Sequence, residues 1–267
     1  LSIPEVVGRY LGGGMRQFMR VFSVLLLVLV GAVFLLSPAQ LLANIVPAVS
    51  CPAWVWIILA YYFVATLLPI DKIIGKVYPV FGVALVAMAL GLLGALLFGG
   101  YRIPEMTTFA NFQLDASSVP IVPTTQSPLM ARCVGNEREC RSVFYGAMIS
   151  ESVIALIWAA VAMAFFGGAG GLSEALGEHG NSAAWAVDTI SNGTLGVVGG
   201  ILALLGVVAA PITSGDTAFR SARLIIADML HIDQRSKLKR FYICIPLFAV
   251  GYGITLVDFD VVWRYFA

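Results

Sequence analysis

Six stretches of the chain are apolar for long enough to cross a membrane, and short polar breaks separate them. A crossing helix needs about 20 such residues at about 1.5 Å each. The pattern predicts spans over residues 21–46, 53–70, 77–99, 143–166, 194–212 and 241–257. Before the first, Ile3-Pro4-Glu5-Val6-Val7 predicts a helix start that Gly12-Gly13-Gly14 interrupts. Within it, Ser37-Pro38-Ala39-Gln40, followed by Asn44, predicts a kink. One polar break stands out. Pro211-Ile212-Thr213-Ser214-Gly215-Asp216-Thr217-Ala218-Phe219-Arg220-Ser221-Ala222-Arg223-Leu224 follows the fifth run directly. Its proline and glycine predict broken backbone, which beside a span must be buried in protein or line water. Residues 217–231 then show helical periodicity. Phe219, Ala222, Ile226, Met229 and Leu230 share one face, with Arg220, Arg223, Asp228 and His231 opposite. This predicts an amphipathic cytoplasmic helix lying at the membrane surface.

Composition sets the class. The chain is 60% hydrophobic and 12% charged, with a mean hydropathy of +0.92, where soluble domains carry about 25% charged residues. The expected fold is all-α, a polytopic transmembrane helical bundle. A net charge of +1, without a basic groove of interleaved aromatics, gives no sign of a nucleic-acid partner. Cys51, Cys133, Cys140 and Cys244 match no metal or disulfide spacing. No metal and no cofactor are expected. His179 in a Gly-rich loop and His231 in a charged one are expected to be solvated.

Basic residues gather on the cytoplasmic side of bacterial membrane proteins. Arg9, Arg16 and Arg20 place the N-terminal side inside, and Asp71, Lys72 and Lys76 return to it after two spans. The 102–142 loop then starts outside and ends on Arg132, Arg138 and Arg141, which belong inside. One further span inserted there makes the rest consistent. The 213–240 stretch falls in the cytoplasm, and every Lys and Arg except Arg102 and Arg264 lies inside. The charge pattern therefore predicts that a span of about 20 residues is lacking near Thr124–Thr125. Both ends of the chain read as parts of a longer protein.

Three segments resemble the carbon starvation protein A family of bacterial inner-membrane transporters. They are Ile212-Thr213-Ser214-Gly215-Asp216-Thr217-Ala218-Phe219-Arg220-Ser221-Ala222-Arg223-Leu224-Ile225-Ile226-Ala227-Asp228, then Thr125-Gln126-Ser127-Pro128-Leu129-Met130-Ala131-Arg132-Cys133, and Met148-Ile149-Ser150-Glu151-Ser152-Val153-Ile154-Ala155-Leu156-Ile157-Trp158. One departure coincides with the charge anomaly. In the family a Gly-rich apolar span ending in a histidine precedes the Thr-Gln-Ser-Pro motif, and here that span is absent. The resemblance implies a broken-helix, inverted-repeat transporter. Its substrate would be a small peptide or a carboxylate such as pyruvate. Transport would be coupled to a proton or another cation and used in nutrient starvation, in a multi-pass inner-membrane protein that can form homo-oligomers amid membrane lipid.

The residues themselves nominate the sites. Asp216 is a coupling or gate carboxylate, or a helix cap, with Arg220 four residues on as an ion-pair partner. It follows a complete span, which places it near the cytoplasmic edge. Thr213, Ser214, Gly215 and Thr217 belong to the same gate, where helix N-terminal amides favour a carboxylate. Glu151 lies about 12 Å into the fourth span and is the second coupling carboxylate, or else a paired packing residue. Thr125, Gln126 and Ser127 offer donors and acceptors to substrate, as do Gln40 and Asn44, unless they only mark helix entry and repair freed backbone. A solute sensor without net transport is the alternative. A channel lacks a ring of carboxylates, and an enzyme is not expected because no HExxH or GxSxG motif occurs.

Overall fold

The computed structural model describes residues 3–67, 78–102, 134–179, 182–234 and 236–257. Among them there are helices and no strands. The elements are α1 (Ile3–Leu11), α2 (Gly13–Ile45), α3 (Cys51–Leu67), α4 (Tyr78–Phe98), α5 (Ala147–Phe165), α6 (Ala169–Glu178), α7 (Ala183–Leu202), α8 (Ala209–Met229) and α9 (Lys237–Thr255). A π-helical segment, Arg141–Gly146, leads into α5, and another, Ala203–Val208, joins α7 to α8. Among the described residues three helices are long and apolar enough to cross a membrane: Gly13–Ile45, Pro79–Phe98 and Glu137–Phe165. A fourth crossing is available if the bent pair Ala183–Leu202 and Leu205–Met229 counts as one. The chain is an all-α membrane protein.

The hub is α2, which packs against α8, α3, α9, α7 and α1. Leu27, Val30, Leu35, Tyr62, Phe219 and Phe248 make its apolar core. A second core, with Met88, Leu92, Val161 and Ile190, joins α4, α5 and α7. Helix α2 continues through Pro38. Proline lacks an amide hydrogen and so leaves the carbonyl four residues back without its helical donor. That carbonyl belongs to Phe34, and the Tyr62 hydroxyl donates to it at 3.2 Å. A partner from α3 thus supports the helix at the point where the proline weakens it.

The break predicted at 211–215 lies elsewhere. Pro211 and Gly215 sit inside continuous α8, and the bend of 56° comes before it. Gly196 takes φ 59° and ψ −146°, a conformation costly for any residue with a side chain, and the wide Ala203–Val208 turn follows. Pro211 lies just after the π segment, in backbone that is already helical at Val208. Residues 194–212 are consequently not one straight span. They straddle the end of α7, the π segment and the start of α8.

The 217–231 helix also differs from expectation. It starts at Ala209, and Gly215 through Arg223 are buried on every side. Arg220 and Arg223 are 4% and 6% exposed, so they do not face solvent along a membrane surface. A periodicity with a polar face shows where the polar side points, and here that side meets α3 and α9 instead of water. The stretch 213–240 is accordingly helix as far as Met229, not loop. The missing span inferred near Thr124–Thr125 and the Thr125-Gln126-Ser127 break lie outside the described residues.

Candidate functional site

Four positions of α8 fall on one face at helical spacing: Asp216, Arg220, Arg223 and Ala227. Asp216 is 2% exposed, and Arg220 Nε donates to both of its carboxylate oxygens at 3.0 Å. Arg220 Nη2 also donates to the carbonyl of Ala65. That carbonyl belongs to α3. One guanidinium therefore holds the carboxylate within α8 and ties α8 to α3. Thr213 and Thr217 are occupied locally. Thr213 Oγ1 donates to the Ala210 carbonyl and Thr217 Oγ1 to the Thr213 carbonyl, both at 2.9 Å. Ser214 is half-buried beside them.

The helices around this centre approach closely because glycines face aromatic rings. A Cβ on Gly215 would lie 2.2 Å from the Tyr62 hydroxyl, and one on Gly31 would lie 2.6 Å from the Phe219 ring. A Cβ on Gly251 of α9 would meet the same ring at 2.7 Å. Phe219 is thereby gripped between α2 and α9, and packs edge-on against Phe248 with ring centres 5.2 Å apart.

These contacts also fix the place of the pair along α8. Arg20 of α2 forms an ion pair with Asp228 at the far end of α8. Gly31 and Phe34 meet Phe219 and Gly215 further along, so the two helices run antiparallel. Counted from Asp228, Arg220 and Asp216 lie about 12 and 18 Å along α8. The expectation that Asp216 sits near the cytoplasmic edge rested on a full span ending at Ile212, whereas Ile212 lies inside α8.

Glu151 goes the other way. It was expected as an interior carboxylate, but it is exposed on α5. Depth along a span says nothing about which side a residue faces. Helix α5 packs through Val161 and Ala164, in its second half. Gln40 is half-buried in α2, and Asn44 is exposed near its end. Neither is joined to the Asp216–Arg220 pair by any hydrogen bond among the described residues.

Tyr62 at the centre and Arg20 at the far end of α8 were not nominated from the sequence, and Arg223 was placed with Arg220 on the polar face of a surface helix. Tyr62 lies in an apolar run with no motif around it. Arg20 looked like one of several loop charges. Arg223 shares its helix face with Asp216, a signal that becomes readable only when the helix begins at Ala209.

No protein family and no solved structure matches the chain. An uncharacterized membrane protein of Haemophilus influenzae is 33% identical over 241 residues, covering 66% of this chain and 65% of that protein. An uncharacterized protein of the same organism is 61% identical over 72 residues, covering 27% of this chain and 52% of that protein. The chain thus spans 65% of the length of the first relative and about half of the second.

Proposed function

We propose that the chain belongs to a secondary active transporter of the carbon starvation protein A type. It moves small carboxylates or peptides across the bacterial inner membrane, coupled to a proton or another cation. The observation that carries this reading is the Asp216–Arg220 pair, enclosed among α2, α3, α8 and α9. An ion pair buried in a membrane protein adds little net stability and is expensive to break. A pair that opens and closes has a use in transport. Protonation of Asp216 removes the charge that holds Arg220 and frees a guanidinium for a solute carboxylate. Proton and carboxylate then cross as a neutral load. The bend of 56° between Ala183–Leu202 and Leu205–Met229 supplies a broken helix of the kind on which alternating access turns. The basic sequence between the end of α8 and the first turn of α9, with Arg235, Lys237, Lys239 and Arg240, lies on the cytoplasmic side in this reading.

The test is uptake of labelled pyruvate and labelled alanyl-alanine into proteoliposomes, with and without a proton gradient. Wild type accumulates one of them only with the gradient, and Asp216→Asn does not. Solute exchange without a gradient distinguishes the transporter from a sensor, which binds without exchange. Accumulation that persists undiminished in Asp216→Asn overturns the coupling role.

A further inference from the structure

The described interior of α8 holds two guanidiniums and one carboxylate. Asp216 is bound to Arg220 through both oxygens, so Arg223 has no acidic partner among the described residues. It is 6% exposed and hydrogen-bonds Cys244 of α9, while its Nε and Nη1 have no acceptor. Buried polar groups are almost always hydrogen-bonded, and an unpaired buried charge is among the costliest features a fold can carry.

This deficit is not isolated. Among the described residues, the other buried side-chain polar atoms without a partner are Arg20 Nε, Ser23 Oγ, Trp54 Nε1, Ser221 Oγ and both amide atoms of Gln234. Arg20 and Gln234 line a cavity of about 460 Å³ together with Glu5, Ala227, Asp228 and His231 among others. Ala227 is on the face of α8 that carries Arg223, and one turn, or about 6 Å, separates them. Continuing along that face come Arg220 and Asp216. Arg223 therefore lies along α8 between the residue that lines the cavity and the buried pair.

We propose that Arg223 is a carboxylate-binding residue, and that it takes the carboxylate of a small organic anion at its unpartnered guanidinium N–H groups as the solute passes between this cavity and the Asp216–Arg220 pair. A guanidinium N–H gives a carboxylate a charge-assisted hydrogen bond, stronger than a neutral one. The route through the cavity rests on the transport reading, but the binding does not.

The test measures thermal unfolding of the purified protein in detergent with acetate, pyruvate or the neutral isostere acetamide. In wild type the two carboxylates raise Tm and acetamide does not. Without ligand, Arg223→Met unfolds at a higher temperature than wild type, because an unpaired buried charge is replaced by an apolar chain of similar length. It shows no carboxylate shift. Arg223→Lys keeps a charge but has no N–H at the Nε and Nη1 positions, and binds acetate about tenfold more weakly. A full carboxylate shift in Arg223→Met overturns the proposal. So does a Met variant that is less stable than wild type without ligand, the mark of an internal partner. A wild type that binds carboxylate but never accumulates it defeats the transport reading and leaves this site standing. Undiminished uptake in Arg223→Met defeats this site and leaves transport standing.

Discussion

The hydroxyl of Tyr62 lies where two helices need it: it donates to the Phe34 carbonyl at 3.2 Å and leaves no room for a side chain on Gly215. The carbonyl is the one that Pro38 deprives of a helical donor, so a tyrosine on α3 repairs α2 while α8 passes against it. Removing the hydroxyl in Tyr62→Phe should cost about 1 kcal/mol, the worth of one hydrogen bond at a site that then keeps an unmet acceptor. Gly215→Ala should cost about 1–3 kcal/mol from overpacking. Thermal unfolding in detergent measures both. A Gly215→Ala variant as stable as wild type contradicts the close approach.

Phe219 provides a second packing test. Gly31→Ala puts a methyl group into the Phe219 ring and should destabilise by about 1–3 kcal/mol. Phe219→Leu alone leaves a cavity and should also destabilise. The double variant should be more stable than the sum of the two losses predicts, because the smaller side chain makes room for the methyl. A double-mutant cycle reads that coupling directly. Additive losses argue against the contact.

Breaking the central ion pair should be far costlier than removing it whole. Asp216→Asn leaves Arg220 charged and buried, for a loss of about 3–5 kcal/mol. Asp216→Leu combined with Arg220→Met should recover most of that loss. If the pair serves transport, the double variant is stable and inactive in gradient-driven uptake. A double variant that is stable and still accumulates solute assigns the pair a structural role only.

Glu151 supplies the contrast. It is exposed, and its hydrogen-bonding neighbours Ser150 and Ser152 bond backward to their own helix. Glu151→Gln should change stability by no more than about 0.5 kcal/mol and leave proton-driven uptake intact. Loss of accumulation in this variant alone would move the coupling site to α5.

The residues that the sequence placed well are those governed by local rules. Gly12 separates α1 from α2 as the Gly12-Gly13-Gly14 run predicts. Asp216 and Arg220, four apart, do form an ion pair. The misplacements share one cause. Pro211 and Gly215 read as breaks because a local rule cannot see backbone already helical at Val208, or a hydroxyl from α3 that requires a glycine. Arg220 and Arg223 read as surface anchors because helical periodicity gives a direction without naming what lies in it. Glu151 read as interior because depth was counted and facing was not.

The sequence by itself determined the solvent. Long apolar runs with few charges leave no alternative to helices in a bilayer, since lipid offers backbone groups no partner. The tertiary structure decided which polar groups are enclosed. In a membrane, lipid tails and protein interiors are equally apolar, so the hydrophobic pattern cannot separate a helix face packed on protein from one bathed in lipid. Packing of α2, α3 and α9 around α8 made that choice. It enclosed Asp216, Arg220 and Arg223 at the centre and left Glu151 outside.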